Sequence, residues 1–210
     1  MVVTPAITQV LHRLEALGQA HDRTETNHSR KLLNLERATA ELLQVLVLSS
    51  RRRRILEIGT SNGYSAVWLA AALRAIPGAQ PLLTIEQNPA KAQEARANLA
   101  AAGLREWANV VEGSATDTVK TLTDRFDCVF FDADRVSAAE QLQLLLPKLE
   151  PHLMLLADNA LSHPAELAGY LLAVEALPDF ITTTVPVGKG LHVAVRGPWQ
   201  EPSDAYEPMA

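Results

Sequence analysis

A glycine-containing turn after the first apolar run is one place where this sequence could bind a ligand. In the segment Glu57 to Ser65, Gly59 and Gly63 have three residues between them. Two glycines let the backbone turn sharply and let a ligand lie against main-chain amides at a helix start. The spacing lacks the middle glycine of GxGxxG, which counts against a pyrophosphate. A glycine turn without a ligand is the competing interpretation.

An acidic residue ends the second apolar run, Leu82 to Glu86. A carboxylate at that strand end can accept hydrogen bonds from both hydroxyls of a ribose. The competing interpretation is a solvated carboxylate ahead of Asn88, whose side chain is typical of a helix cap. The turn and Glu86 together favour a nucleoside-containing ligand, but they do not separate NAD from S-adenosylmethionine.

Acidic and amide side chains follow two further apolar runs. Asp132 ends the fourth run, and Asp158 with Asn159 ends the fifth. Strand ends of an open parallel sheet converge on the ligand crevice, where two carboxylates and an amide oxygen would suit Mg²⁺ or a similar cation. Asp134 and Asn159 also have the side chains of helix caps. Caps explain acidic groups at two neighbouring strand ends less well, so the pattern favours a metal site.

These residues need a sheet that brings strand ends together, and the chain has the pattern for one. Apolar or β-branched runs lie at 55–59, 82–86, 110–112, 126–132, 153–157, 181–185 and 191–195. Most are separated by roughly a helix length, which predicts parallel βαβ units with strands buried on both faces. The last two runs predict a hairpin. The expected fold class is α/β, a doubly wound and mostly parallel sheet with a C-terminal antiparallel hairpin.

Helices are predicted ahead of the sheet. Thr4 and Pro5 are typical of a helix start, an apolar stripe follows, and Gly18 is the predicted stop. The polar segment 19–30 is predicted to be a solvated connection or frayed helix, and a second helix is predicted to begin near Asn34. The expected domains are a helical extension at 1–50, the sheet domain at 51–196 and a tail at 197–210.

Composition narrows the function classes. The chain has 210 residues, of which 48% are hydrophobic and 20% charged, as in an ordinary folded α/β domain. The net charge of −5 disfavours general nucleic-acid binding. A single cysteine, Cys128, excludes an intrachain disulfide. No apolar run approaches the ~20 residues of a membrane span and no targeting pattern is seen, so a cytoplasmic protein without a membrane partner is expected.

Four segments resemble, in the same order, the motifs of a known family. ILEIGTSNGYSAVWL (55–69) is similar to the first motif of the cation-dependent S-adenosylmethionine O-methyltransferases of the catechol and caffeoyl-CoA type. FDCVFFDADR (126–135) and LLADNAL (155–161) resemble that family's metal-binding segments, and VPVGKGL (185–191) resembles its closing hairpin. The family includes many bacterial members. The resemblance implies a Rossmann-like methyltransferase sheet at 51–196, preceded by N-terminal helices.

The resemblance also implies roles for residues at matching positions. The residues implied to hold the methionine end of S-adenosylmethionine are Glu57, Gly59, Ser61, Gly63 and Ser65, with Leu35 and Asp132 close by. Glu86 is implied to hold the ribose, and Ser114 and Ala115 to border the adenine. The implied ligands of a divalent cation, Mg²⁺ or similar, are Asp132, Asp158 and Asn159.

Three positions depart from the family pattern. Arg135 stands where a lysine is common, and in the catechol enzyme that lysine is the general base. Arginine stays protonated at any working pH and cannot take the substrate proton. Asp132 and Arg135 are still expected to act in catalysis, Arg135 by steadying an oxyanion or a substrate carboxylate. His192 stands where the catechol enzyme has a hairpin glutamate, and Pro151-His152 replaces the usual Gly-Gly.

The implied reaction is methyl transfer from S-adenosylmethionine to a hydroxyl oxygen of a small phenolic or catechol-like acceptor, assisted by the cation. Without a lysine base, the metal must do more of the activation, or water or a histidine takes the proton. His163 follows Asp158-Asn159 closely, and it either faces the site or lies on the surface at a helix start. The resemblance further implies a homodimer.

Two alternative functions remain open at this point. One is O-methylation of a hydroxylated uridine in transfer RNA, with Arg51 to Arg54 and Arg135 contacting phosphate. A solvated turn is the competing interpretation of the arginine run. The other is a non-catalytic or NAD-type nucleotide-binding protein, which the missing GxGxxG disfavours.

Overall fold

The computed structural model describes residues 2–24 and 34–197, which fold as helices on both faces of one sheet. The helices are α1 (Pro5–Thr24), α2 (Arg37–Ser50), α3 (Tyr64–Ala75), α4 (Pro89–Ala101), α5 (Ala115–Thr121), α6 (Ala138–Leu145) and α7 (Pro164–Glu175). The strands are β1 (Ile55–Ile58), β2 (Leu82–Glu86), β3 (Ala108–Glu112), β4 (Phe126–Phe131), β5 (Leu149–Ala157), β6 (Phe180–Val185) and β7 (Leu191–Arg196). Within these ranges, no helix is long and apolar enough to cross a membrane.

The strand order is β3-β2-β1-β4-β5-β7-β6. The strands from β3 to β5 pair in parallel, whereas β7 runs antiparallel between β5 and β6. The predicted fold class is therefore confirmed, including the C-terminal antiparallel hairpin. The order reverses between β1 and β4, and the carboxyl ends of parallel strands form a ligand crevice at such a point.

Two apolar clusters cover the two faces of the sheet. Helices α1 to α4 pack on one face, where Ile7, Leu11 and Leu43 bring the N-terminal helices into contact with the cluster around α3. Helices α5 to α7 pack on the other face. The central strands are buried on both sides, as their continuous apolar runs predict. The division at 1–50, 51–196 and 197–210 stays a prediction, and residues 25–33 and 198–210 lie outside the described part of the chain.

The prediction that Gly18 ends the first helix is wrong, because α1 continues to Thr24. A Cβ at Gly18 would lie 2.7 Å from Nδ2 of Asn34. That amide donates a hydrogen bond to the Leu14 carbonyl at 2.9 Å. Gly18 thus allows a distant side chain to approach the helix and does not terminate it. Helix α2 begins at Arg37, slightly later than predicted.

Strand β5 begins at Leu149, earlier than the apolar run at 153–157 predicts. Its pairing with β4 shifts register between Phe126 and Cys128. Pro151 and His152, which replace the family's Gly-Gly, lie in this irregular stretch. Proline has no amide hydrogen to donate, so such an irregularity is where a strand can accommodate it.

Candidate active site

The glycine turn after β1 is wedged between the ends of β2 and β4. The amides of Gly59 and Thr60 donate to the Ile85 carbonyl at 3.0 and 3.2 Å. Gly59 has a φ of +104°, and a Cβ on it would lie 2.2 Å from the carbonyl oxygen of Asp132. Only glycine permits this conformation together with this approach. The turn is therefore in direct contact with the first predicted metal ligand.

Glu86 is fixed by two backbone amides at the end of β2. Its Oε2 accepts from the Ser61 amide at 2.8 Å, and its Oε1 accepts from the Asn88 amide at 2.8 Å. Each carboxylate oxygen keeps acceptor capacity beyond these bonds. The carboxylate is therefore oriented before any ribose hydroxyl would reach it.

Glu57 is a fully buried carboxyl group on β1. Thr84 Oγ1 donates to its Oε2 at 2.6 Å, and the Thr60 hydroxyl lies 2.6 Å from that of Thr84. Burial raises the pKa of Glu57 to about 7, although hydrogen bonds from Ser65 and Thr84 oppose the shift. A ligand ammonium beside Glu57 would stabilise its charged form.

A cavity of about 140 Å³ opens beside these residues. The predicted cofactor residues that line it are Gly59, Glu86, Ser114 and Ala115. Asp134, which the sequence suggested as a helix cap, also lines it, and the lining residues that the sequence did not single out are Ile85, Gln87, Gly113, Thr116, Ala133, Ser137 and Gln141. Most of these adjoin predicted residues along the chain, but Ser137 and Gln141 come from the α6 region and have no such signal. A larger cleft of about 590 Å³ lies between α4 and β3, apart from the predicted residues.

The three predicted metal ligands lie on neighbouring strand ends. The Asp132 amide donates to the Ile58 carbonyl at 2.9 Å, and the Asp158 amide donates to the Phe131 carbonyl at 3.1 Å. These bonds extend the β1, β4 and β5 ladder by one residue and set the two aspartates side by side. Asn159 follows with a φ of +69°, which turns the chain away from β5.

The aspartate pair has the electrostatics of a cation site. Burial raises the pKa of Asp158 to about 6. Burial and the charge of Asp158 hold the pKa of Asp132 well above its usual range. Oδ1 of Asp158 is buried and has no hydrogen-bond partner among the described residues. A cation would reduce the repulsion between the two carboxylates and would give Oδ1 of Asp158 a partner. The residues therefore suit a divalent cation.

No third carboxylate, histidine or cysteine joins the aspartate pair in the described part of the chain. Within residues 2–24 and 34–197, no three histidine, cysteine, aspartate or glutamate side chains lie close enough together to hold a metal ion. The amide oxygen of Asn159 is the third donor in the predicted set, and that assignment stays a prediction. Two carboxylates and one amide form a hard oxygen site of the kind that Mg²⁺ takes.

Arg135 lies at this site and is held by a partner that the sequence did not reveal. Its Nε and Nη2 lie 2.8 and 2.7 Å from Oε2 of Glu166 on α7. Its Nη1 donates to Oδ1 of Asn159 at 3.4 Å. The guanidinium is therefore fixed beside the donor set, where it can donate hydrogen bonds but cannot remove a proton.

The hairpin turn before β7 closes over the same region. The Lys189 ammonium lies 3.1 Å from Oε1 of Glu36, just before α2. The Lys189 carbonyl accepts from the amides of Leu161 and Ser162 at 3.0 Å each. Burial raises the pKa of both aspartates, and the positive charge of Lys189 partly opposes that rise. The pairing of Glu36 with Lys189 carried no sequence signal, since it depends on how the start of α2 meets the hairpin.

The two candidate histidines have different environments. His192 is buried, its ring lies 5.6 Å from that of Tyr170, and burial lowers its pKa to about 4. It therefore packs beneath α7 as a neutral core residue. His163 instead has Nδ1 2.8 Å from the Ser162 hydroxyl, which accepts from Nδ2 of Asn159 at 3.2 Å. His163 is the histidine that is linked to the donor set.

Leu35 has an apolar environment, and the arginine run lies at the other end of the strands. Leu35 is buried in the cluster with α1 to α3. The amides of Arg53 and Arg54 donate to the Asp127 carboxylate at 2.8 and 2.9 Å, and Arg52 Nη1 donates to the His152 carbonyl at 2.9 Å. The run precedes β1 and lies at the amino ends of the strands, opposite the site. Its backbone forms an ordered turn away from the cation donors, and the transfer RNA alternative stays untested.

Comparison with known proteins places this geometry in a family. The sequence profile described as a methyltransferase domain matches residues 56–160. A catechol O-methyltransferase from Mycobacterium tuberculosis is 36% identical over 125 residues, which cover 58% of this chain and 54% of that protein. A catechol O-methyltransferase from Sus scrofa is 33% identical over 138 residues, which cover 62% of this chain and 73% of that protein. This chain spans about half the length of the bacterial relatives.

A solved structure extends the likeness to nearly the whole fold. The O-methyltransferase from Streptomyces achromogenes that is involved in tomaymycin synthesis was solved with S-adenosylmethionine. It is 29% identical to this chain, with a TM-score of 0.73 and coverage of 92% of this chain and 91% of that one. The chain therefore belongs to the S-adenosylmethionine-dependent O-methyltransferases of the catechol O-methyltransferase type.

Proposed function

We propose that this protein transfers the methyl group of S-adenosylmethionine to a hydroxyl oxygen of a small phenolic or catechol-like acceptor, with the help of a divalent cation. The contact between Gly59 and Asp132 carries the proposal, because a Cβ on Gly59 would lie 2.2 Å from the Asp132 carbonyl oxygen. The cofactor turn and the first cation donor are thus adjacent. Methyl donor and acceptor would be held side by side, and such positioning supplies much of the rate of a transfer.

The residues on the cofactor side bind and orient. S-adenosylmethionine supplies an electrophilic methyl group on a sulfonium. Glu57 would face the ammonium of its methionine end, and Glu86, held by two amides, would orient the ribose. Because these carboxylates are already held in place, less side-chain conformational entropy is lost when the cofactor binds.

The residues on the acceptor side activate the hydroxyl group. Asp132, Asp158 and Asn159 would hold the cation, which when bound supplies Lewis-acid polarisation that lowers the pKa of the hydroxyl. Arg135 stays protonated and would donate a hydrogen bond to the developing oxyanion. The proton would leave to water or to His163, which is joined to Asn159 through Ser162.

Exposed apolar side chains beside the donors support an aromatic acceptor. Val136 follows Arg135 and is 70% exposed, and Leu161 follows Asn159 and is 56% exposed. Large apolar side chains with this exposure flank both donor loops and could cover the faces of a ring. The homodimer stays a prediction from the family resemblance.

A methyl-transfer assay tests the function. Phenols, catechols and transfer RNA are offered with S-adenosylmethionine, with Mg²⁺ or with excess chelator. We expect transfer to a phenol or catechol that is lost with chelator and in Asp158→Ala, but retained in the exposed control Asp124→Ala. Undiminished transfer by Asp158→Ala in chelator would rule out the cation-assisted mechanism. If methyl transfer is seen only with transfer RNA, the acceptor is RNA and the proposal of a small phenolic acceptor is wrong.

A further inference from the structure

A buried amide on α6 forms part of the cofactor cavity wall. Gln141 lines the cavity of about 140 Å³ together with Glu86 and the segment from Ser114 to Thr116. Its side chain is only 3% exposed. Its Nε2 donates to Thr116 Oγ1 at 3.4 Å, whereas its Oε1 is buried and has no hydrogen-bond partner among the described residues.

The position of Gln141 on its helix makes this polarity notable. The other buried residues of α6 are Ala138, Leu142 and Leu145, which pack in the cluster on that face of the sheet. Packing alone would therefore favour an apolar residue at this position. An unpaired buried carbonyl is costly, so a donor is expected from a ligand or an ordered water.

The competing acceptors in the cavity wall already have partners. Asp134 accepts from the Val136 amide at 3.2 Å and from the Ser137 hydroxyl at 2.5 Å. The Thr116 hydroxyl accepts from Gln141. In contrast, the side-chain carbonyl of Gln141 is a buried acceptor in the same wall, and no described residue donates a hydrogen bond to it.

We infer that Gln141 Oε1 accepts a hydrogen bond from the exocyclic amine of the cofactor's adenine and makes the site selective for that base. The inference rests on the proposed function, which supplies the ligand. With the ribose at Glu86, the rest of the cavity receives the base. A 6-oxo base would instead place a carbonyl against the Gln141 carbonyl, and two acceptors repel each other.

Calorimetric titration with two ligands tests the inference. S-adenosylhomocysteine carries the amine, and S-inosylhomocysteine carries an oxygen in its place. The wild type should prefer the adenine ligand by roughly 10- to 100-fold, as the loss of one buried hydrogen bond predicts. Gln141→Leu should bring the two affinities within about 3-fold. The matched control is Gln143→Leu, an exposed glutamine on the same helix, which should keep the full preference.

Each outcome bears on the inference. Equal affinity of the wild type for both ligands would overturn it, and so would full preference in Gln141→Leu. If that variant fails to fold, the wild type is titrated with the N6,N6-dimethyl analogue of S-adenosylhomocysteine. Weaker binding of this analogue supports the role of the amine, and unchanged binding overturns it. No binding of S-adenosylhomocysteine by the wild type would instead overturn the proposed function, and this inference with it.

Discussion

Arg135 donates a hydrogen bond from Nη1 to Oδ1 of Asn159 across 3.4 Å. Glu166 holds the same guanidinium from the other side at 2.7 Å. The amide oxygen assigned to the cation therefore already faces a fixed positive charge. Arg135 would repel a cation bound at this site, so we expect the strength of cation binding to depend on this residue.

Removing that charge should strengthen cation binding. We expect Arg135→Gln to bind Mg²⁺ roughly 10-fold more tightly, because like charges a few ångströms apart repel appreciably even at an effective dielectric constant of about 20. The measurement is calorimetric titration with Mg²⁺ without cofactor or acceptor. Arg105→Gln, at an exposed position before β3, should leave the affinity unchanged. Equal or weaker affinity in Arg135→Gln would contradict the expectation.

A methyl group at Gly59 should disrupt the site. Gly59→Ala places Cβ 2.2 Å from the Asp132 carbonyl oxygen at a φ of +104°, so backbone must move. We expect a loss of about 3 kcal/mol in the free energy of unfolding, together with weaker S-adenosylhomocysteine binding. Gly103→Ala is the control, since its φ is +68° but no atom lies within 4 Å of the added Cβ. It should cost only about 1 kcal/mol. Equal costs in urea denaturation would show that the contact is unimportant.

Cofactor binding should release a proton from Glu57. Burial raises the pKa of Glu57 to about 7, so at pH 6 the ligand-free protein carries this proton. A ligand ammonium favours the carboxylate and lowers its pKa, so binding releases up to about one proton. Titration of S-adenosylhomocysteine in two buffers with different ionisation heats measures this release. Glu57→Gln should release none, and a wild-type binding heat that is independent of buffer would refute the prediction.

His192 should make the protein less stable in acid. Its pKa falls from 6.5 to about 4 on burial, so between these values the unfolded chain binds a proton that the folded chain does not. The free energy of unfolding therefore decreases as the pH drops through this window, by about 3 kcal/mol in full. Urea denaturation at pH 4, 5 and 6.5 should show this loss in the wild type, relative to His192→Leu at each pH.

The same variant separates a core role from a catalytic one. His192 packs beneath α7, so His192→Leu should keep the wild-type pH profile of methyl transfer between about pH 6 and 8. A profile that loses its basic group in this variant would identify His192 as the base. In the urea experiment, the wild type and His192→Leu are compared at each pH because the contribution of Glu57 to the free energy of unfolding changes with pH in the opposite direction. Its stabilising neutral form is lost as the pH rises from 4.5 through about 7.

The sequence by itself determined the order of the elements and the positions of the main donors. Apolar runs separated by helix lengths require parallel strands, and residues at the ends of such strands meet at one edge. Glu86, Asp132 and Asp158 could therefore be predicted as neighbours of one crevice. The apolar runs and the polar residues at their ends are both local signals, because each depends on residue types within one strand and the turn that follows it.

The tertiary structure alone decided which distant side chains complete the site. Glu36 meets Lys189 only because α2 packs against the hairpin, and Arg135 meets Glu166 only because α7 follows β5 back along the sheet. Gln141 could be assigned to the cavity only once the rotation of α6 was known. Strand alternation places His192 on one of two faces, but its neighbours decide whether that face is the core or the site. These outcomes depend on packing between elements far apart in sequence, which no local pattern records.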